Sequence, residues 1–304
     1  MLPKTRMTAL TLMCAVAVTA CSSGGSAGAD AETTRTVEHA RGTTEVPSDP
    51  ARIVTLEPVE LDTSVALGVI PVGTAVLSEA TGVPAYLGEN AAAIEMVGTV
   101  PEPQIEAVAA LEPDLILGTE SRHSDYYDRL SAIAPTVFLE DHAGPWMDNV
   151  RFVGRALGVD DRAEELLGEY AERCADIADK YDTQGQTAQL IRPRNGELTL
   201  YGPSSFAGST LECAGFTTPP RDEWADDISV DLSPELAVEA SADLIVVTAA
   251  NPADPSAIPE SVTANASALP DPVAVDQSYW ITGVGPMGGL TVLDDIDRIL
   301  AQRN

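Results

Sequence analysis

Residues 103–118 read "PQIEAVAALEPDLILG", and residues 232–247 read "LSPELAVEASADLIVV". Glu106 and Asp114 of the first stretch correspond to Glu235 and Asp243 of the second, each displaced by 129 positions. Each stretch is a short helical phrase opened by Pro and Glu. Asp-Leu-Ile and further branched apolar residues follow at once. A helix that feeds a fully apolar strand is the unit of a parallel sheet covered on both faces. Its return so far along the chain predicts two α/β lobes with the unit in an equivalent place in each.

Outward from the first copy, "RIVTL" (52–56) and "VIPVGTAV" (69–76) predict strands around a helix over 59–68 that Gly68 ends. A helix over 124–134 and a strand over 136–139 come next. "PWMDNVRFVGRALG" (145–158) sets Trp146, Val150, Val153 and Leu157 on one helical face. A further helix is predicted over 161–181. Beyond Gly185, strands are expected at 187–191, at 198–201 and near 279–281, with helices at 205–214 and 289–302.

The N-terminus is read apart from the fold. Lys4 and Arg6 precede an uncharged apolar run from Met7 to Ala20, shorter than the ~20 residues a membrane span needs. A secretory signal therefore fits better than a transmembrane helix. Its end, Val18-Thr19-Ala20-Cys21 before Ser-Ser-Gly-Gly, resembles the bacterial lipobox, in which the signal is cut before a Cys that carries diacylglycerol. An ordinary signal with an incidental Cys is the alternative. The expected organisation is a signal peptide over 1–20, the lipidated Cys21 with a flexible tether over 21–50, an N-terminal α/β lobe over 51–145, a linking helix over 146–158 and a C-terminal α/β lobe over 159–304.

Loss of Lys4 and Arg6 takes the formal charge from −30 to −32. Nucleic acid is excluded as a partner, because neutralising phosphates requires Lys and Arg. One Lys (Lys180) and 14 Arg then remain, so their positions matter. Cys174 and Cys213 stay in an oxidising compartment, either as a disulfide or as two buried thiols. There is no C-x-x-C on which to rest redox catalysis, and no G-x-S-x-G nucleophile elbow. His39, His123 and His142 do not form a metal-ligand cluster. "GVGPMG" (283–288) fits G-x-G-x-x-G, but a dinucleotide site needs a following strand and an acid about 20 residues on, and Pro286 sits inside the loop. It reads as a turn into the last helix.

Four stretches carry a family resemblance: "ARIVTLEPVELDTSVALGVIPVGTA" (51–75), "VGTVPEPQIEAVAALEPDLILG" (97–118), "DRLSAIAPTVFL" (128–139) and "YGPSSFAGSTLECAGF" (201–216). In this order they resemble the substrate-binding proteins of iron–siderophore and cobalamin ABC importers. The resemblance implies a class III periplasmic-binding-protein-like fold, with two Rossmann-like lobes joined by a single long helix and ligand held in the cleft. It implies an extracytoplasmic, lipid-anchored monomer that passes its ligand to a permease dimer with ATPase subunits. In the family, one surface Glu on each lobe meets Arg of the permease, and the matching positions are Glu106 and Glu235. Two spaced carboxylates fix orientation through charge-assisted bonds. Taken alone, each is an acid favoured by a helix N-terminus.

Ligands of open α/β sheets sit beyond the C-terminal ends of strands. The candidates there are Glu57, Arg122, Tyr126, Trp146, Arg192, Arg194, Tyr201, Phe206, Arg221, Trp224 and Trp280. Arg122, Arg192 and Trp224 lie where family members often place ligand contacts. Arg donates fixed hydrogen bonds to the oxygens of a ferric chelate, and aromatics cover its apolar frame. The expected ligand is a ferric siderophore. No cofactor is expected, and iron is bound only through the siderophore. Cobalamin or haem is the alternative within the class. A lipid-anchored hydrolase, or a purely structural lipoprotein, is the alternative outside it.

Overall fold

The computed structural model describes residues 33–143 and 145–303. The expected signal segment and the lipidation candidate Cys21 lie outside them. The chain opens with β1 (Thr34–His39) and β2 (Gly42–Pro47), an antiparallel hairpin. This corrects the expectation of a flexible tether as far as residue 50. Val37 and Val46 are buried among polar neighbours that alternate with them, and Gly42 supplies the positive φ that the turn requires. Arg35 then donates to the carbonyls of Arg155 and Ala156.

β3 (Ile53–Thr55), α1 (Pro58–Ala66), β4 (Gly73–Val76), β5 (Glu95–Thr99), β6 (Glu102–Pro103), α2 (Ile105–Ala110), β7 (Leu115–Thr119), α3 (Glu120–His123), α4 (Tyr127–Ser131) and β8 (Thr136–Leu139) form the N-terminal lobe. Its sheet runs β6-β5-β4-β3-β7-β8, parallel except for β6. Two helices follow, α5 (Trp146–Leu157) and α6 (Asp160–Tyr181), separated by Gly158 in the left-handed conformation. The segment read as the linking helix is thus α5, and the long helix between the sheets is the 22-residue α6.

The C-terminal lobe contains β9 (Ala188–Arg194), β10 (Glu197–Tyr201), α7 (Phe206–Cys213), β11 (Ser229–Leu232), β12 (Leu244–Ala249), α8 (Glu260–Thr263), β13 (Val273–Asp276), α9 (Gln277–Trp280) and α10 (Pro286–Arg303). Its sheet, β11-β10-β9-β12-β13, is mixed, because β10 is antiparallel to both its neighbours. The strand expected near 279–281 is helix α9, and the last strand is β13. Asp276 accepts from Ser278 N–H and so caps the start of a helix where a strand was expected.

The repeated stretch has one architectural role in both lobes. Asp114, just before β7, accepts from Ala51 and Arg52 N–H at 2.8 and 2.9 Å, at the entry to β3. Asp243, just before β12, accepts from Thr187 N–H at 2.7 Å, at the entry to β9. Ile53 pairs with Leu115, and Ala188 with Leu244. Each Asp therefore locks the register between the first strand of its sheet and the strand the repeat supplies. The preceding helices differ: α2 is capped at Leu111 and followed by Glu112 with φ 46, while 234–240 wind as a 3-10 helix with no left-handed residue at its end.

The largest apolar cluster joins one face of both sheets through α5, α6, α7 and α10, with Leu115, Val153, Tyr170, Leu190, Val246 and Ile296 among its members. The outer face of each sheet has its own smaller cluster. A Cys174–Cys213 disulfide ties α6 to α7.

α10 is also fixed from the opposite lobe. Asp62 of α1, wholly buried, accepts from Met287 and Gly288 N–H at 2.9 Å each and from the Tyr86 hydroxyl. The rejected "GVGPMG" motif is therefore the start of a helix whose N-terminal donors are occupied by a carboxylate.

Candidate functional site

A cavity of about 360 Å³ opens between the lobes, where the C-terminal ends of strands from both sheets face one another. The N-lobe contributes Glu57 at the start of α1, Leu77 after β4, Arg122 on α3 and His142 after β8. The C-lobe contributes Arg192 of β9, Tyr201 of β10, the start of α7 at Ser205 and Phe206, and Trp280 with the loop leading to α10.

Seven sequence candidates meet here: Glu57, Arg122, Trp146, Arg192, Tyr201, Phe206 and Trp280. Trp146 stacks edge-on against Tyr170 and Phe206, with centroids at 5.0 and 5.4 Å, and its Nε1 donates to Ser209. Trp280 is fully buried, donates to Asp295 and lines the cavity. Tyr201 hydroxyl lies 3.4 Å from Arg192, and Arg192 has no carboxylate partner among the described residues.

Four candidates lie elsewhere. Tyr126 packs on the outer N-lobe cluster and donates to Pro101 O. Arg194, two residues on from Arg192, pairs with Asp231 at 3.3 Å and donates to Thr199. Arg221 donates to Glu239 O and lies 3.7 Å from its carboxylate. Trp224 belongs to the outer C-lobe cluster and lies flat over Gly202, where a Cβ would stand 2.6 Å from the ring. For these four, an apolar or ionic neighbour in the fold outcompetes the cleft.

One residue missed by sequence reasoning completes the N-lobe wall. Arg122 Nε stands 3.0 Å from Glu57 Oε1, and Arg122 NH2 stands 2.6 Å from His142 Nε2. Arg122 Nε also donates to His142 Nδ1 at 3.3 Å, and Asp141 Oδ1 stands 3.2 Å from the same nitrogen, so the ring is held between the guanidinium and a carboxylate. Burial lowers the His142 pKa, as does Arg122 beside it, so the ring is neutral. Nothing but its position after β8, beside an acid, marked His142 in the sequence.

Glu57 is 2% exposed. Burial pushes its carboxyl up to about 7 against the pull of Arg122, and Asp141 adds to the rise. Glu60 below it is fully buried and held well above the usual carboxylate range, first by burial and then by Glu57. The wall is therefore a row of four groups, Asp141–His142–Arg122–Glu57, facing Arg192 and Tyr201 across the gap.

Glu106 and Glu235 stand apart from the cleft. Glu106, at the start of α2, is 88% exposed along its side chain and lies 3.4 Å from Arg129. Glu235 is exposed, accepts from Ser233 and has exposed Leu236 and Val238 as neighbours. Among the described residues no group of three or more His, Cys, Asp and Glu could hold a metal ion, and no helix is long and apolar enough to cross a membrane.

Two α/β lobes, a long connecting helix and one cleft at the facing strand ends define a class III, two-lobed solute-binding protein. The chain belongs to the periplasmic binding protein family, whose model matches residues 53–271. It is 36% identical over 215 residues to the probable siderophore-binding lipoprotein YfiY of Bacillus subtilis, a match covering 69% of this chain and 66% of that protein, just under two thirds of it. It is 30% identical over 206 residues to the Fe(3+) dicitrate-binding periplasmic protein FecB of Escherichia coli, covering 67% of this chain and 68% of that one. The crystal structure of Staphylococcus aureus SirA with staphyloferrin B superposes with a TM-score of 0.74 at 28% identity, over 88% of this chain and 99% of that one.

Proposed function

We propose that this protein captures a ferric siderophore in the cleft between its lobes and delivers it to an ABC importer. One observation carries the reading: Arg122 and Arg192, from opposite lobes, open into the same aromatic-lined cavity in a chain that is otherwise strongly acidic. Two guanidinium forks facing each other suit the carboxylate or hydroxamate oxygens around a ferric ion. The relatives named for siderophore and ferric citrate binding support this ligand class. The lipoprotein name of YfiY supports attachment through Cys21 at the extracytoplasmic face of the cell membrane. No catalytic step is assigned to the cleft. Glu106 and Glu235, one at the tip of each lobe, are the contacts offered to the two permease subunits.

The test is a titration followed by tryptophan fluorescence, since Trp146 and Trp280 border the cavity. The panel holds ferric citrate, a ferric hydroxamate, a ferric catecholate, cobalamin and haem. Saturable quenching by one ferric chelate, kept in Trp224→Phe, is the expected result. Selective quenching by cobalamin or haem would replace the ligand. Glu106→Ala with Glu235→Ala should abolish uptake by cells while leaving ligand affinity unchanged.

A further inference from the structure

The N-lobe wall of the cleft carries a carboxylate where an anion receptor needs a cation. Glu57 Oε1 faces Arg122 Nε at 3.0 Å, but out of line for a hydrogen bond, and no donor meets that oxygen. Glu60, one turn on, also has one oxygen with no hydrogen-bond partner. The other charged or titratable groups around Glu57 are Asp141 and His142 after β8, Asp62 further along α1, and Arg192 across the cavity. Trp146, Phe206, Trp280, Thr282 and Val284 bring only uncharged side chains to the same space.

Among the described residues, Arg122 is the only cation on this wall. A polyanion that enters must share it with Glu57 or take it. Once Arg122 turns to the ligand, Glu57 is a buried anion with no counter-ion, beside Glu60 and beside the ligand's own charge. Such a group takes up a proton rather than stay charged.

We propose that ligand capture in this cleft is coupled to proton uptake: Arg122 passes from the Glu57 carboxylate to the ligand anion, and Glu57 accepts a proton from water as it does so. The inference rests on the reading of the cleft as an anion receptor. The proton is within reach at neutral pH, because burial already pushes Glu57 up to about 7 in the free protein. His142 does not replace Glu57 as the partner, since a neutral imidazole only accepts from Arg122 and leaves the guanidinium charge available.

The sign follows. Below about pH 7 Glu57 is neutral, Arg122 is free for the ligand and affinity is full. As pH rises through 7, the carboxylate competes for Arg122, and affinity falls by up to about tenfold per pH unit for one coupled proton. Glu57→Gln imitates the protonated state. It also keeps a carbonyl oxygen for the capping box, in which the Glu57 and Glu60 side chains accept from each other's backbone N–H.

The experiment titrates the full chain with ferric citrate between pH 6 and 8.5, wild type beside Glu57→Gln. Both proteins meet the same ferric citrate species at each pH, so the ratio of their affinities isolates Glu57. The expected result is equal affinity at pH 6 and binding about tenfold tighter by Glu57→Gln at pH 8.5. Calorimetry at pH 7.5 in two buffers of different ionisation enthalpy should show the wild type taking up more protons than the variant. Equal pH profiles and equal proton counts would overturn the coupling and leave the receptor standing. Weaker binding by Glu57→Gln at every pH would make Glu57 a positioning residue for Arg122 and also overturn it. If neither folded protein binds ferric citrate or any other ferric chelate of the panel at any pH, the anion-receptor reading falls, and this inference with it.

Discussion

Asp62→Ala should destabilise the whole two-lobed unit although the residue lies on neither sheet. Among the described residues its carboxylate is the only side chain meeting Met287 and Gly288 N–H, at 2.9 Å each, and both bonds run from the N-lobe helix α1 to the C-lobe helix α10. The two helices meet closely here, since a Cβ on Gly285 would stand 2.3 Å from Asp62 Oδ1. Each buried donor left without a partner costs about 1–3 kcal/mol. Loss of an N-cap side chain costs about 0.5–2 kcal/mol by separate measurements that count part of the same effect. The combined loss is about 3 kcal/mol, a large share of the 5–15 kcal/mol typical of a folded domain. Urea denaturation at pH 6 should show this drop for Asp62→Ala. Asp62→Asn, which retains one acceptor oxygen, should fall between it and the wild type. Hydrogen exchange at the Met287 and Gly288 amides should accelerate in step. An Asp62→Ala protein within about 1 kcal/mol of wild type, with both amides still protected, would refute the cap as a fastening between the lobes.

Two further outcomes are expected. Replacing Cys174 and Cys213 with Ser removes a cross-link spanning 39 residues, worth about 4 kcal/mol on the chain-entropy account; a loss under about 1 kcal/mol in urea denaturation would contradict that account here. Arg192→Gln should weaken binding of an anionic ferric chelate by about 10- to 100-fold, the worth of one charged hydrogen bond, whereas Arg194→Gln, already committed to Asp231, should change it less than about twofold; equal effects in the fluorescence titration would show that the cleft does not distinguish them.

The two-lobed plan was legible because Asp114 and Asp243 do the same work at the same register, and a repeated structural task leaves a repeated phrase. The cleft was legible only in part. A position after a strand end was enough to find Arg122, Arg192 and Tyr201. It could not separate Arg192 from Arg194, which have the same residue type and the same strand parity. Their difference comes from Asp231 on the neighbouring strand β11, whose pairing is non-local. Trp224 was misplaced for a similar reason, since the shelf that receives it is Gly202, 22 residues earlier. The hairpin over 34–47 was hidden by its Thr and Gly content, which suits a linker as well as it suits edge strands. Its two valines are the only sign of a buried face.

That hairpin has a consequence for life in a crowd. β8 is the last strand of the N-lobe sheet, and its outer edge would be a template for another chain's strand. Phe138 O accepts from Ala40 N–H, Phe138 N–H donates to His39 Nδ1, and Thr136 O accepts from the Thr44 hydroxyl. The far edge of the same sheet closes with β6, only two residues long and antiparallel. Molecules packed side by side on a surface collide edge to edge far more often than in dilute solution. A sheet whose margins are already spoken for lets those collisions end in separation rather than in a growing stack.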